Sequence, residues 1–563
     1  MSKTLGELRP SQLIFHHGPG AIVDMLDQSV MIMGADTWKL WDVPTHYDDR
    51  VSRLFGVDYI KLLNGNPQNL EIKARPFPKW KVCPKCGMMT KSRETECYFC
   101  KRDHDESINL FPSRFVLACE NGHISDFPWE DWVHDGKCCK NPILKMKSDG
   151  VVGSLADMTV RCVKCKSKPK SLAKIMKEER NCTGERTWLG DSQKGCNVRM
   201  QTVLRGASKL YSPVIKSILP IPLTNGKEDS LYQRVQAHKA TLKTLRENNE
   251  LLFKETAKAL LDIDDNEIEN VAKILDGVYE EPVTIETIRK QEWNTFKAGA
   301  KDDINDSGYK ALKMDIHDKM SSYFQSILRV DSLPEIQVLQ GFTRLSYLDL
   351  FEETEVKTSS IMKDENANWL PGVKNLGEGI FFEFNIDQLR QWEERIEVKN
   401  ELGKVFHRFN ERREQMDLNN VELLERHVLI HSFAHALIHE FARFSGYSTT
   451  SLRERIYSGK DMHGVLIYTS SSDSEGSLGG LIELAKPEKL YPIFIRALEK
   501  MEYCSSDPYC SSGNHALQSS INGAACHSCA FVSETSCEWG NQLLDRRVLL
   551  LLNQQENLAF FEV

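Results

Sequence analysis

The sequence predicts a multi-domain α+β fold in which cysteine-rich modules are separated by helical and mixed regions. Three observations support this: 563 residues are too many for one hydrophobic core, the composition is globular, and the sixteen cysteines are clustered. Eleven cysteines lie between Cys83 and Cys196, and the other five between Cys504 and Cys537. Because paired cysteines are typical zinc ligands, we expect zinc ribbon modules in the N-terminal half and a four-cysteine zinc module near the C-terminus.

Changes in composition divide the chain into five predicted segments. These are an N-terminal α/β segment with a GPGA turn (1–75), a zinc-rich domain (76–222), a helical arm (223–330), a mixed α/β domain (331–500), and a zinc-binding module with a C-terminal helix (501–563). Within the mixed domain, GFTRL, GIFFEF and VLIYT are predicted strands, and 421–444 is a predicted buried helix that stops near Gly446.

Charge and targeting features indicate a cytoplasmic protein without a membrane segment. The N-terminus MSKTLGELRPSQLIF lacks the pattern of an export signal, and the apolar stretch 428–441 is too short to span a bilayer. In a reducing compartment, Cys-x-x-Cys pairs bind metal more often than they form disulfides. The net charge of −8 argues against a general polyanion-coating protein but permits a local basic face.

The strongest motif is a pair of Cys-x-x-Cys knuckles, Cys83 with Cys86 and Cys97 with Cys100, separated by ten residues. Two such turns close a tetrahedral zinc site, which predicts a zinc ribbon; the alternative is four unrelated buried cysteines. A site closed by four thiolates is structural and has no position for a substrate or a catalytic water.

A second predicted zinc site combines the knuckle Cys162 and Cys165 with Cys182 and Cys196, although the ligand separations are wide.

The sequence leaves open the role of a further set of possible metal ligands. Cys119 and His123 would join His134 and either Cys138 or Cys139, or else form a small thiol and a hydrogen-bonded histidine in the core.

Five cysteines lie near the C-terminus, and a tetrahedral zinc site needs only four of them. The predicted ligands are Cys510, Cys526, Cys529 and Cys537, with Cys504 as the spare. A redox role for the CHSC stretch is the alternative, but the strand-to-helix turn that such chemistry requires is not evident.

Two features are compatible with catalysis. His431, His435 and His439 are spaced four apart on one helical stripe, where the alternative is hydrogen bonding in the core. The run YTSSSDSEGSLGGL contains Asp473 and Glu475, which would suit a metal-dependent hydrolase but also a tight turn. No GxxxxGK[ST] motif occurs, so any use of ATP would belong to a partner.

One dense basic stretch surrounds the third knuckle. Its members Lys164, Lys166, Lys168 and Lys170 are the predicted DNA contacts, since lysines on a zinc-supported loop suit phosphates. The alternative is a solvated loop, because no aromatic residue is interleaved to stack a base.

Several blocks together resemble the DrmB family of the bacterial DISARM anti-phage defence system. They are SQLIFHHGPGAIVD, RFVLACENGHISDFPW, GFTRL, GEGIFFEF, HSFAHALIHEFARFSGYSTTSLRERIY, YTSSSDSEGSLGGL and GAACHSCAFVSETSCEWGNQLLDR. The final blocks resemble the MZB domain, a zinc-binding module associated with helicases, which implies zinc on Cys510, Cys526, Cys529 and Cys537.

The resemblance implies a subunit that pairs with DrmA, a helicase-like ATPase, in a complex that engages invading DNA, and it supplies no catalytic residue. The expected function is therefore a non-catalytic zinc-binding subunit of a DISARM-type complex that contributes to DNA binding. The alternative is a metal-dependent nuclease or phosphodiesterase that uses His435, Asp473 and Glu475.

Overall fold

A computed structural model of the chain divides into two compact units. Unit 1 contains residues 1–218 and 336–375, and unit 2 contains residues 219–335 and 376–563. The residues described are 4–26, 28–48, 50, 54–65, 70–91, 94–137, 139–148, 154–222, 235, 238–261, 263, 268–275, 284–301, 303–306, 308–345, 358–364, 367–415, 418–469, 479–512, 521–534, 536–552 and 557–562.

The strands are short except for two. They are β1 (Ile22–Asp24), β2 (Ser29–Ile32), β3 (Lys39–Leu40), β4 (Thr45–His46), β5 (Tyr59–Leu62), β6 (Leu70–Glu71), β7 (Ala74–Pro76), β8 (Lys81–Val82), β9 (Met89–Thr90), β10 (Phe111–Pro112), β11 (Phe115–Ala118), β12 (Ile124–Asp126), β13 (Leu144–Ser148), β14 (Met158–Cys162), β15 (Lys170–Ser171), β16 (Glu179–Asn181), β17 (Glu185–Arg186), β18 (Asp191–Ser192), β19 (Arg199–Leu204), β20 (Ser212–Ile218), β21 (Ile304–Asp306), β22 (Tyr309–Met314), β23 (Phe324–Thr343), β24 (Trp369–Phe384), β25 (Leu452–Tyr457) and β26 (Gly464–Thr469).

The helices are concentrated in unit 2. They are α1 (Pro10–Phe15), α2 (Tyr98–His104), α3 (Trp129–Val133), α4 (Lys239–Asn248), α5 (Glu250–Leu261), α6 (Ile268–Leu275), α7 (Ile285–Gly299), α8 (Ile386–Glu393), α9 (Ile396–Gln415), α10 (Glu425–Ser445) and α11 (Pro487–Glu502). The mixture of helices and strands confirms the predicted α+β class.

Unit 1 is built from several small sheets. The largest has the strand order β16-β19-β11-β12-β17-β18, and smaller sheets have the orders β10-β8-β9 and β13-β14-β15. Its aromatic core lies beside the cysteines: Phe115, Phe127, Trp129 and Trp132 are buried in one cluster with Cys119 and Cys162. Few of these strands exceed five residues, so backbone pairing alone gives each sheet little stability.

The buried guanidinium of Arg344 links two of the sequence blocks quoted above, the GFTRL strand and the block that contains the GPGA turn. Its Nη2 donates to the Gly20 carbonyl at 2.7 Å, its Nε donates to the Gly122 carbonyl at 2.9 Å, and its Nη1 donates to the Leu210 carbonyl. The side chain is fully buried, which lowers its pKa to about 9. Gly20 has a left-handed φ of 88°, and a Cβ there would meet the Phe342 ring at 2.6 Å. The GPGA turn and the GFTRL strand therefore require each other.

Unit 2 is a sheet covered by helices on both faces. β26 pairs with 379–383 of β24 and with β25, while β22 pairs with 327–332 of β23. Consecutive residues of β24 point to opposite faces: Phe381 packs with Trp293 of α7, and Phe382 contacts Phe433 of α10. The strands predicted from GIFFEF and VLIYT are confirmed.

The predicted buried helix is also confirmed as α10. Almost every residue from Arg426 to Phe441 is buried, and the helix ends where Gly446 adopts a left-handed φ of 82°. Glycine accepts this conformation without the cost that a Cβ imposes.

The middle of the chain is helical over a shorter range than the predicted arm of 223–330. Helices α4, α5 and α6 share a small core that includes Leu242, Phe253 and Val271. Helix α7 ends at Gly299, and β21 and β22 follow at 304–314, where Tyr309 and Ala311 alternate with more exposed residues and join the core of the sheet. Among the described residues, no helix is both long enough and apolar enough to cross a membrane.

Replacing Arg344 with methionine should lower the free energy of unfolding of unit 1 by about 3 kcal/mol or more, because buried carbonyls lose their donor. Urea unfolding of the zinc-loaded protein measures this. Arg199→Met is the matched control, since that side chain is 65% exposed and should cost little. Equal stability of the two variants would contradict the anchoring role of Arg344.

Candidate metal centres

Among the described residues, five groups of four side chains each bring potential metal ligands within 4.8 Å of one another. A tetrahedral zinc ion with Zn–S bonds of about 2.3 Å requires sulfur atoms about 3.8 Å apart. That spacing is the geometric criterion for whether each group fits zinc.

The first group, which we call the ribbon cluster, consists of Cys83, Cys86, Cys97 and Cys100. The Sγ atoms of Cys83 and Cys100 are 3.7 Å apart, and those of Cys86 and Cys97 are 3.6 Å apart. The first knuckle is a turn after β8 in which the Gly87 N–H donates to the Cys83 carbonyl, and the second begins α2. The four predicted ribbon cysteines therefore lie together at zinc spacing.

The second group, the hairpin cluster, consists of Cys119, His123, Cys182 and Cys196. The His123 Nδ1 atom lies 3.4 Å from both the Cys119 and the Cys182 sulfur, and its Nε2 lies 3.3 Å from the Gln193 side-chain oxygen. A hydrogen bond from Nε2–H to that oxygen leaves Nδ1 unprotonated and able to bind a metal, an arrangement common for histidine ligands.

The third group, the knuckle cluster, consists of His134, Cys139, Cys162 and Cys165. The Cys139 and Cys162 sulfurs are 3.7 Å apart, and His134 Nε2 is 3.4 Å from the Cys165 sulfur. Burial raises the pKa of Cys162, but hydrogen bonds from the backbone at Cys165 and Ile143 outweigh it and bring the pKa to about 6. The thiolate, which is the form that binds metal, is therefore favoured. Cys138, the other candidate, lies outside the described residues.

The structure combines the cysteine pairs differently from the sequence prediction, in which Cys162 and Cys165 share a site with Cys182 and Cys196. Strand order explains the difference. Strand β19 lies between β16 and β11, so Cys182 after β16 and Cys196 before β19 reach the turn that holds Cys119. Cys162 ends β14 opposite Leu144 of β13, close to Cys139 instead.

The fourth group, the C-terminal cluster, consists of Cys504, Cys510, Cys526 and Cys529. Sulfur separations are 3.5 Å for Cys504 to Cys526 and 3.8 Å for Cys510 to Cys529. The hydrogen bond with Cys510 lowers the pKa of Cys529 to about 5 against the opposing effect of burial. Cys504, predicted as the spare, occupies the position that the sequence assigned to Cys537.

Cys537 lies in the fifth group, the mixed cluster, with His431, His435 and Glu454. Its sulfur is 3.1 Å from His431 Nε2. The sequence interpretation found the histidine stripe but missed Glu454, and it placed Cys537 elsewhere. One sequence feature could have indicated this site. Five cysteines lie near the C-terminus, one more than a four-ligand zinc site can use, so one of them must have other partners.

Two domain families match parts of the chain. Residues 9–212 match a domain of unknown function (DUF8724), and residues 433–530 match the MrfA Zn-binding domain, MZB. All four cysteines of the C-terminal cluster lie within the MZB match. Zinc is therefore a cofactor of this chain, as predicted.

A full-length comparison decides the family. The chain is 31% identical over 576 residues to the DISARM protein DrmB of Bacillus paralicheniformis, a match that covers 96% of this chain and 100% of that protein. This chain belongs to the DrmB family. The DrmB match extends across both units, including the regions outside the two domain matches.

The predicted DNA-contact lysines of this DrmB-family chain have different surroundings. Lys170 donates to the Trp132 carbonyl and to Asp135, both at 2.8 Å, and Lys164 donates to the Lys140 carbonyl at 2.6 Å. Lys166 and Lys168 are exposed and make no hydrogen bond or ion pair to any other described residue.

The residues of the alternative nuclease hypothesis do not form an observable site. Asp473 and Glu475 lie outside the described residues. His435 is fully buried, and its Nδ1 donates to the Ala530 carbonyl at 2.8 Å.

Double cysteine variants should distinguish the two groupings of unit 1. If the hairpin and knuckle clusters each bind one zinc ion, Cys162→Ser with Cys182→Ser should remove two zinc ions per chain. Cys119→Ser with Cys182→Ser should remove only one. Elemental analysis of the purified proteins measures the zinc, and loss of a single ion from the first pair would favour the grouping predicted from sequence.

Cys86→Ser should release one zinc ion and expose the ribbon to proteolysis. The buried core of the ribbon consists of Cys83, Cys97, Cys100 and Leu110, so little apolar packing would remain. Limited proteolysis with mass analysis should place new cleavage within 83–110. Lys85→Gln, a change at an exposed neighbour, is the control, and a protease-resistant Cys86→Ser protein would refute the requirement for zinc.

Proposed function

We propose that this chain is a non-catalytic, zinc-binding subunit of a DISARM-type anti-phage defence complex, that it partners a DrmA-like helicase, and that it contributes DNA-contact surface. Membership of the DrmB family and the MZB match support the defence role. The DNA-binding part of the proposal rests on the loop 164–170 beside the knuckle cluster, here called the lysine loop, in which Lys166 and Lys168 are exposed.

The chemistry of the ligand groups supports a structural role for the metal. Each of the four cysteine-rich groups supplies four protein ligands, so a tetrahedral ion would have no open position for substrate or water. Such sites stabilise loops and do not polarise a scissile bond. They suit a protein that presents surfaces to a partner or to DNA.

The lysine loop is held at both ends and free at its centre. Lys164 and Lys170 fix the loop to the backbone carbonyls of Lys140 and Trp132, while Lys166 and Lys168 extend into solvent. Lys174, in the following turn, is also exposed. Unpaired lysines on a rigid support release counterions when they meet phosphates, which favours binding without selecting a sequence.

The nuclease alternative has weaker support. His435 is buried and its two ring nitrogens are directed at protein groups, so it could not reach a DNA phosphate without a rearrangement of α10.

Replacing Lys166, Lys168 and Lys174 with glutamine should weaken DNA binding by the complex with the helicase. The slope of log K against log salt should fall by up to about three, because each phosphate contact contributes about 0.9. Equilibrium DNA binding over a salt series measures this. The loss should be similar for unrelated DNA sequences.

The matched control replaces three lysines with glutamine in the same way. Lys73, Lys79 and Lys209 are exposed, belong to the same unit and lie outside the lysine loop. Zinc content and helicase co-purification should be unchanged in both variants. An unchanged salt slope in the loop variant would remove the DNA-contact assignment. Failure of the wild-type chain to co-purify with a DrmA-like helicase would refute the subunit proposal itself.

A further inference from the structure

The mixed cluster is a separate buried constellation that the MZB match does not account for. Helix α10 supplies His431 and His435 from one face, β25 supplies Glu454, and the loop after Ser536 supplies Cys537. The MZB match covers residues 433–530, so two of these four side chains lie outside it. The C-terminal cluster already provides that domain with a complete set of four thiol ligands.

The four ligand atoms are close enough together to contact one ion, since all lie within 4.8 Å of one another. His431 Nε2 is 3.0 Å from Glu454 Oε1 and 3.1 Å from the Cys537 sulfur, and His435 Nε2 is 3.4 Å from the same carboxylate oxygen. Bonds of about 2.0–2.3 Å from a central zinc ion to nitrogen, oxygen and sulfur correspond to ligand separations of about 3.3–3.6 Å. The 3.4 Å separation lies in this range, and the 3.0 and 3.1 Å separations from His431 Nε2 are a few tenths of an ångström shorter.

The hydrogen bonding of His435 requires a cation at that point. Its Nδ1–H donates to the Ala530 carbonyl, so in the neutral ring Nε2 carries a lone pair. That lone pair faces a carboxylate oxygen, which is also an acceptor, and no described residue donates a hydrogen bond to His435 Nε2. Two acceptors in this arrangement repel each other unless a proton or a metal ion lies between them.

The Glu454 carboxylate contacts two histidines but no arginine or lysine among the described residues. The Glu454 side chain is fully buried. The neighbouring arginines point to the opposite face of β25, where Arg455 pairs with Glu292 at 2.7 Å and Arg453 lies 3.6 Å from Glu335. An isolated buried carboxylate costs several kcal/mol, so a positive charge in the cluster is needed.

Two backbone donors converge on the Cys537 sulfur. The backbone N–H groups of Trp539 and Asn541 donate to its sulfur at 3.3 and 3.2 Å. This pattern also occurs in the C-terminal cluster, where Ser506 and Ser528 donate to the sulfurs of Cys504 and Cys526. Donors of this kind stabilise a negative sulfur.

We propose that His431, His435, Glu454 and Cys537 bind a structural zinc ion that fastens α10 to β25 and to the loop at 536–541. Two neutral imidazoles, one carboxylate and one thiolate neutralise Zn²⁺, which leaves no net charge in the core. Imidazole and thiolate together favour zinc over magnesium or calcium. With four protein ligands, the ion has no open position, so the site is not catalytic.

Cadmium-113 NMR of the full-length protein, with zinc exchanged for cadmium, tests the site without any mutation. The cadmium shift depends on the number of bound sulfurs. We expect one resonance from a one-sulfur site, well separated from those of the three- and four-sulfur clusters. A spectrum without a one-sulfur resonance would overturn the proposal and favour an imidazolium–carboxylate pair.

Metal content provides a second test. Cys537→Ala should lose one zinc ion per chain and the one-sulfur cadmium resonance, while the other resonances persist. His439→Asn is the matched control because it changes the next histidine of the same helix stripe without removing a ligand. A folded Cys537→Ala protein with the zinc content of the wild type would refute the site.

Discussion

In the ribbon of unit 1, clustered cysteine ligands take the place of a larger hydrophobic core. The buried core of the ribbon contains three of its cysteines and Leu110, with Phe99 and Ile108 only partly buried. Strands of two or three residues bury too little surface to offset the entropy of ordering them. A zinc ion bonded to the four ribbon cysteines would supply the missing free energy and fix the turns at the same time.

Sequence spacing predicts which ligands form pairs better than it predicts which pairs share an ion. Cys162 and Cys165 form a knuckle because only two residues separate them, and the structure keeps them together. Their partners, however, depend on strand order: β19 lies between β16 and β11, which directs Cys182 away from the knuckle. No local pattern encodes that order. The ribbon was predictable because all of its ligands lie within eighteen consecutive residues.

In unit 2 the elements were predictable and their contacts were not. The apolar runs of β24 and β26 and the Gly446 stop of α10 were evident from the sequence. Glu454 looked like an ordinary charged residue between two arginines. Only the alternation of β25, which sends those arginines to one face and the carboxylate to the other, shows that Glu454 meets the histidines. The mixed cluster is recognised only when the charge of Glu454 is considered together with its burial, and that burial is known only from the tertiary fold.

The long sequence separation within the mixed cluster affects how the chain is made. Cys537 is 106 residues beyond His431, whereas the two knuckles of the ribbon are separated by ten residues. Synthesis proceeds from the N-terminus, so the ribbon ligands emerge together and can capture zinc while translation continues. Helix α10 and strand β25 must wait, with the Glu454 carboxylate unneutralised, until the Cys537 loop leaves the ribosome. Chains interrupted before that point would carry intact N-terminal modules and an unfinished unit 2, a defect that proteases could recognise.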